Sequence, residues 1–112
     1  MATYRQGTGE IKRVSGTAPT ERADGTPLPA NEISHYARFL TFDGGAPIEQ
    51  AVTLVSGEFD EDIDIDSATP GVYQYWYQTV DTGGRHSADS TIVSLEILAP
   101  FAMPNPPTGL GV

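Results

Sequence analysis

The sequence predicts an all-β domain, an antiparallel β-sandwich of about seven strands, and three observations lead to this prediction. Turn-forming residues are frequent, with 12 Gly and 9 Pro in 112 residues. No window repeats apolar residues at the i, i+3, i+4, i+7 spacing of an amphipathic helix. Residues 68–90 are typical of two antiparallel strands at a sandwich corner, because a Pro-Gly turn, an alternating tyrosine run and an Asp-Thr-Gly-Gly turn follow one another.

Composition restricts the classes of function. With 112 residues and 38% hydrophobic content, the chain fits one compact domain. The formal net charge is −9, which argues against binding of nucleic acid or anionic lipid, because both need concentrated positive charge. Cysteine is absent, so neither disulfides nor thiolate metal sites stabilise the fold.

The N-terminal residues do not have the pattern of a secretory signal. They contain no apolar segment behind a basic start, and the chain has no run of about 18 apolar residues. We therefore expect a protein that is made in the host cytoplasm without a signal peptide and does not insert into a membrane. An extracellular location would apply if the chain were part of a larger secreted protein.

The first predicted strand covers residues 10–15, which alternate and offer Ile11 and Val14 to a core. Residues 17–32 are predicted to form a loop. They contain three prolines and an Asp-Gly turn, and these residues cannot maintain a regular ladder of strand hydrogen bonds.

Two further strands are predicted before the middle of the chain. Residues 33–42 are rich in β-forming residues and are closed by an Asp-Gly-Gly turn. Residues 47–55 alternate, with Ile48, Val52 and Leu54 on one side.

Residues 59–66 alternate strictly, so that Phe59, Ile63 and Ile65 can enter the core. The opposite face is acidic and consists of Asp60, Asp62, Asp64 and Asp66. A shared Ca²⁺ ion is disfavoured because side chains two apart on a strand are roughly 7 Å from each other. We expect this face to be solvated, with a cation or a basic partner as the alternative.

The tyrosine run forms the next strand, and residues 90–98 form the last. The period of two directs Tyr73, Tyr75 and Tyr77 to the core and Trp76 outward. An outward tryptophan either covers a sheet face or anchors an interface. The candidate interface residues on this strand are therefore Trp76 and its polar neighbours Gln74 and Gln78.

The order of these turns and strands resembles that of fibronectin type III domains, which are immunoglobulin-like sandwiches, over residues 10–98. The shared features, in chain order, are Thr17-Ala18-Pro19-Thr20, Asp24-Gly25-x-x-Leu28, Ile33-Ser34-His35-Tyr36, Ile63-x-Ile65, Pro70-Gly71 and Asp81-x-x-Gly84-x-x-Ser87-x-x-Ser90. The resemblance implies that Ile65 is the inward residue of strand E and that Tyr36 begins strand C. It also implies that Tyr73 is a tyrosine-corner residue whose hydroxyl bonds back to the main chain near Pro70 and Gly71.

Three positions depart from the family pattern. Gly16 replaces the usual tryptophan, so either Tyr75 or Tyr77 fills that volume or the alignment is shifted. Arg38 lies where strand C usually directs an apolar side chain inward, and a bulge after Tyr36 would turn the following phenylalanine to the core instead. The turn before the corner tyrosine is one residue shorter than usual.

Proline-rich residues 99–112 are predicted to form a C-terminal arm, and residues 1–9 an N-terminal arm. The candidate interface residues of the C-terminal arm are Pro107, Leu110 and Val112. Residues 106–112 resemble the opening strand of a fibronectin type III domain. They either begin a following repeat, or add a strand to an exposed sheet edge of the same or a neighbouring subunit, or remain disordered.

No segment carries the residue set of a catalytic mechanism. His86 and Ser87 adjoin Asp81 in sequence but lie on a hairpin turn, where neighbouring side chains diverge. Residues 7–9, Gly-Thr-Gly, lack the lysine and the helix of a phosphate loop. We predict no catalytic, cofactor-binding or metal-binding residues.

The sequence therefore predicts a non-enzymatic structural or adhesive module. The resemblance implies a bacteriophage virion protein, in capsid decoration or a tail, that contacts other virion or surface proteins, forms a homo-oligomer or joins an assembly, and touches host glycans. The alternative is a spacer or carbohydrate-binding module from a multidomain secreted bacterial protein.

Overall fold

A computed structural model describes residues 1–52 and 59–112, and the prediction of an all-β chain is confirmed for them. The strands are β1 (Ala2–Arg5), β2 (Ile11–Gly16), β3 (Ile33–Phe42), β4 (Ile48–Val52), β5 (Phe59–Asp64), β6 (Gly71–Asp81) and β7 (Val93–Leu98), and one 3₁₀ turn covers Ala30–Glu32. Within these two ranges, no helix has the length and apolar character needed to cross a lipid bilayer.

The strands form two sheets. The larger has the order β1-β7-β6-β3-β4, and the smaller consists of β2 and β5. β1 runs parallel to β7, whereas all other neighbouring strands are antiparallel. Within the larger sheet, the predicted turn at Asp43 and Gly44 lets the sequence neighbours β3 and β4 pair directly as antiparallel strands.

Both sheets contribute to one core. Ile97 on β7 and Ile65, immediately after β5, are the largest fully buried side chains. The core cluster also contains Tyr36, Tyr75, Tyr77 and Leu95. Val14 of β2 and Ile63 of β5 pack against this cluster, so the two sheets face each other, which fits a β-sandwich. Ile11 of β2 is 59% exposed, which corrects its predicted inward position.

The alternation of β5 is confirmed where the side chains are described. Ile63 packs against the core and Ile65 is buried, while the four aspartates of the opposite face are exposed. Predictions for Leu54 and for the side chain of Phe59 fall outside the described part. On β4, Val52 packs against the core as expected, but Ile48 is 67% exposed, which corrects its predicted inward position.

Residues 1–9, predicted as an N-terminal arm, instead contain an edge strand of the larger sheet. In β1, Ala2 to Arg5 pair with Leu95 to Leu98. The Gln6 side chain then donates hydrogen bonds to the main-chain carbonyls of Ile65, at 2.9 Å, and Ala68. These contacts tie the N-terminal residues to the loop after β5, so the folded part begins before residue 10.

The corner before β6 has the geometry that the resemblance implies. The Tyr73 hydroxyl donates a hydrogen bond to the Thr69 carbonyl at 2.6 Å, despite the shortened turn. Pro70 is exposed, and Gly71 follows with φ of 155°. A Cβ at Gly71 would lie 2.7 Å from Cζ of Phe42, so any larger residue would require the Phe42 ring to move.

Candidate functional site

Trp76 lies on the outer face of the larger sheet, where it stacks on Phe39. The two residues are cross-strand partners in the β3–β6 ladder, and their ring centroids are 5.7 Å apart with planes 7° from parallel. Trp76 alternates with the buried Tyr75 and Tyr77 and is itself half-buried. Because the two rings shield each other, the tryptophan covers part of a sheet face while leaving an aromatic edge open to solvent.

The glutamines beside Trp76 are held by neighbouring polar groups. The Gln78 amide donates to Asp89 at 2.8 Å and lies 3.0 Å from Nδ1 of His86. Gln74 contacts the Thr41 hydroxyl at 3.4 Å, a longer and weaker interaction. We call Phe39, Gln74, Trp76 and Gln78 the aromatic face.

Arg38 points between the two sheets, which corrects the predicted bulge after Tyr36. The ladder irregularity lies earlier, between Ile33 and His35. Nη1 of Arg38 donates to Glu61 at 2.6 Å, and the two side chains are only 19% and 20% exposed. An ion pair therefore lies between the two sheets at this inward position of β3.

Tyr77 completes this buried polar cluster. Its hydroxyl donates to the other carboxylate oxygen of Glu61 at 2.8 Å. Burial and this hydrogen bond raise the pKa of Tyr77 far above its usual value, so the phenol stays protonated and remains a donor. Within the described ranges, Nε of Arg38 is the one buried side-chain polar atom without a hydrogen-bond partner.

An open cleft of about 280 Å³ lies beside Gly16, between the end of β2 and the start of β7. Its lining includes Val14, Gly16, Tyr36, Tyr77, Thr91 and Val93. Tyr77 lines the cleft but directs its hydroxyl to Glu61, and Tyr75 is not among the lining residues, so neither tyrosine fills the volume left by Gly16. Gly16 contributes no side chain here, and this glycine was the sequence signal for the cleft.

The edge of β2 next to the cleft is open. Among the residues that the structure describes, β2 pairs with β5 on one side and with no strand on the other. An edge of this kind presents main-chain N–H and C=O groups to any added strand. Cleft and edge together form one surface, which we call the β2 groove.

The C-terminal arm, residues 99–112, contains no strand or helix and is exposed throughout. Its apolar side chains are almost fully in solvent, with Phe101 80%, Met103 90% and Leu110 84% exposed. Pro107 and Val112 are also exposed, and the arm has no charged side chain. An uncharged, exposed apolar segment is typical of a surface that binds another molecule.

The three residues that adjoin in sequence and were not predicted to be catalytic are engaged in separate structural contacts. His86 contacts Gln78, and the Ser87 hydroxyl accepts the main-chain N–H of Thr79 at 2.8 Å. Asp81 is 5% exposed and accepts hydrogen bonds from the Arg85 main chain and side chain, both at 2.8 Å, and from Arg22 at 2.9 Å. These contacts fold the turn after β6 and do not join the three residues into a relay.

Asp66 has a different role from the other aspartates of the acidic face. Its two carboxylate oxygens accept the main-chain N–H groups of Gly7 at 2.7 Å and Gly9 at 2.8 Å. The Gly-Thr-Gly segment is therefore an anion-binding turn that is occupied by the chain's own carboxylate.

On the same face, Nε of Arg13 lies 3.1 Å from Asp60 and 3.2 Å from Asp62. Residues 1–52 and 59–112 contain no group of three or more side chains with metal-ligand spacing.

Acid is expected to destabilise the protein through Asp81 and Asp66. Hydrogen bonds from Arg85 and Arg22 lower the pKa of Asp81, and those from Gly7 and Gly9 lower the pKa of Asp66, in both cases from 3.8. A carboxylate whose pKa is lower in the folded state than in the unfolded state stabilises the fold at pH values above the unfolded pKa. This stabilisation is lost progressively as the pH falls from the unfolded pKa through the folded pKa. We expect the melting temperature to be nearly constant from about pH 7 to pH 5 and to fall steadily below about pH 4.

The contribution of Asp81 is measured by comparing this pH profile with that of Asp81→Asn. The variant should melt lower at neutral pH and show a shallower fall in acid, because one of the two groups no longer titrates. Parallel profiles for the two proteins would contradict the assignment.

Comparison with known proteins gives no match, either to a family model, to a curated protein or to a solved structure.

Proposed function

We propose that the chain is a non-enzymatic structural module with an immunoglobulin-like, fibronectin type III-like fold. The order of strands supports this, because β3, β6 and β7 are neighbours in one sheet and β2 and β5 form the opposed sheet. Strands C, F and G and strands B and E have the same division in such sandwiches. The hydrogen bond from Tyr73 to Thr69 and the burial of Ile65 add the corner and the inward strand-E residue that the family resemblance implies.

The observation that carries the functional proposal is the exposed C-terminal arm. Four large apolar side chains of residues 99–112 are at least 80% exposed, although the rest of the domain has its own core. Apolar surface of this kind is stabilised by contact with another protein. We infer that the module joins proteins in an assembly and that its setting is a bacteriophage particle, as a capsid decoration or tail component. The family resemblance supports the particle setting.

The proposal is tested by following the protein into particles. In particles from the virus whose genome encodes the chain, mass spectrometry should detect the intact protein, and a variant lacking residues 104–112 should be lost or strongly depleted. Ile48→Ser, which removes an apolar side chain outside the arm that is 67% exposed, is the matched control and should be incorporated normally. Normal incorporation of the deletion variant would remove the role of the arm, and a gene outside any viral genome would contradict the particle setting.

The aromatic face favours a second candidate, a carbohydrate-binding or spacer module of a larger secreted bacterial protein. Stacked aromatic rings with flanking amide groups can bind the apolar faces and hydroxyl groups of sugars. The chain has a single tryptophan, so its fluorescence reports on this face alone. A saturable change in that fluorescence on addition of a polysaccharide, lost in Phe39→Ala, would favour the second candidate. An unchanged spectrum with a panel of polysaccharides would favour the assembly module.

A further inference from the structure

We propose that the β2 groove binds residues 106–112 of a second copy of this chain, which add a strand to the open edge of β2. This inference rests on the proposed assembly function and names its partner. The observation behind it is a match between two surfaces of the same molecule. One is an open groove, lined by apolar side chains and by Ser and Thr hydroxyls, beside an edge of β2 that pairs with no strand of residues 1–52 and 59–112. The other is the exposed apolar segment at residues 106–112.

The receiving surface can hold side chains as well as a main chain. The cleft has a volume of about 280 Å³. One water molecule occupies about 30 Å³ in the liquid, so the cleft has room for more than a single water. Val14, Tyr36 and Val93 supply apolar walls from both sheets. The adjacent edge of β2 supplies the main-chain groups for hydrogen bonds, because β5 pairs with the opposite side of the strand.

The donor segment has the pattern of an added strand. Pro106 and Pro107 lack the main-chain N–H, but the five residues that follow can all donate. In an extended conformation, Leu110 and Val112 lie on one face and can enter the groove, while the intervening glycine lies on the other. Gly109 has φ of 71° in the unbound arm and can become extended at little cost, since glycine populates both regions.

The geometry at the root of the arm favours a second copy over the arm's own groove. The guanidinium of Arg5 donates to the Ala99 carbonyl at 3.0 Å and lies 4.0 Å from the Phe101 ring centroid. The arm therefore leaves the sheet at the end of β7, whereas the groove lies at the beginning of that strand. Four prolines stiffen the arm, and the molecule is 81 Å long but only 28 and 19 Å in its other dimensions.

An arm that binds the groove of the next copy makes a head-to-tail contact. Each copy then donates one arm and receives one, so the interface closes into a ring or continues as a filament. The absence of charge on the arm suits this contact, because burial of the segment leaves no charged side chain without solvent.

The experiment separates the donor from the receiver. One variant lacks residues 104–112 and keeps the groove, whereas the other, Val93→Arg, keeps the arm and blocks the groove with a bulky charge. Val93 is 39% exposed, so the fold should tolerate the change, and circular dichroism of both variants checks this. Thr91→Arg is a second blocking variant at an exposed lining position.

Native mass spectrometry and sedimentation velocity of the intact chain should show concentration-dependent oligomers. Each variant alone should be monomeric, and an equimolar mixture should form a dimer that grows no further, because it contains one usable arm and one usable groove. Leu110→Asp should weaken association at least about tenfold, since burial of a leucine side chain corresponds to one to two powers of ten in affinity. Met103→Asp, outside the donor segment, is the control and should change affinity little.

The outcomes distinguish this inference from the proposed function. An intact chain that stays monomeric, or one whose association survives both groove variants, overturns the groove assignment. The assembly function would still stand if particles reject the chain lacking residues 104–112. Self-association that is unchanged by the deletion overturns the groove assignment, and normal incorporation of the same deletion into particles overturns the role of the arm as well.

Discussion

Replacing Glu61 by alanine is expected to lower the free energy of unfolding by about 2–3 kcal/mol. The carboxylate accepts hydrogen bonds from Arg38 at 2.6 Å and from Tyr77 at 2.8 Å, between two sheets that exclude most solvent. Its removal leaves a largely buried guanidinium without its counter-charge and takes an acceptor from the phenol. Such a loss costs more than the pair itself contributes, because a buried charge without a partner is strongly unfavourable. Urea denaturation followed by circular dichroism measures the change.

A double variant tests whether the cost comes from the unpaired charge. Arg38→Leu combined with Glu61→Leu replaces the ion pair by apolar side chains and should recover stability to within about 1 kcal/mol of the unsubstituted protein. Asp62→Ala is the matched control on the same strand, because its partner Arg13 is 64% exposed. This control should leave the denaturation midpoint unchanged, since exposed ion pairs contribute little. Equal losses in Glu61→Ala and Asp62→Ala would contradict the assigned role of the buried pair.

The ion pair shows where the sequence prediction reached its limit. The charge of Arg38 at an inward position was visible, but its partner was not, because the two residues are 23 positions apart and belong to different sheets. The alternation of residues 59–66 places Glu61 on the inward side with Ile63, and this was the available signal. A single charged residue on an apolar face does not reveal which residue carries the opposite charge. A bulge after Tyr36 was therefore the simpler prediction for Arg38.

Local patterns predicted the strands well because turns and alternation are properties of adjacent residues. β3 was predicted with its observed bounds, and the acidic face of β5 was placed correctly. β1 was missed because it has little pattern of its own and is held by a pairing of Ala2 with Leu95, 93 residues later. Asp66 could not be distinguished from the other aspartates, since its role depends on distant main-chain N–H groups of Gly7 and Gly9.

The candidate binding surfaces also divide into those that the sequence predicted and one that it did not. The exposed arm and the outward Trp76 were predicted from composition and alternation. The β2 groove was not, because it arises where, in the described part of the chain, no strand covers the edge of β2 and Gly16 contributes no side chain. A missing side chain becomes a cavity only when nothing nearby fills it, and Tyr77 could have done so had Glu61 not fixed its hydroxyl.

Ile65→Ala is expected to destabilise the domain by about 3 kcal/mol through loss of apolar burial and formation of a cavity. Ile65 has 0% exposure and is at the centre of the cluster that joins the two sheets. Its main chain also holds the N-terminal segment, because its N–H donates to Glu10 at 3.1 Å and its carbonyl accepts from Gln6 at 2.9 Å. The main-chain bonds remain in the variant, so the measured loss reports on the side chain.

Ile11→Ala removes the same atoms from β2 at a position that is 59% exposed, and it should change the unfolding free energy by less than about 0.5 kcal/mol. Guanidinium denaturation of both variants gives the comparison, and similar slopes would show that both unfold as one cooperative unit. A small loss at Ile65, or an equal loss at both positions, would place the core elsewhere than between the two sheets. If Ile65→Ala loses much more unfolding free energy than Ile11→Ala, the smaller sheet is an integral part of the core. The β2 groove is then a defined cleft at the edge of a rigid domain, and binding of a neighbour's arm requires such a cleft.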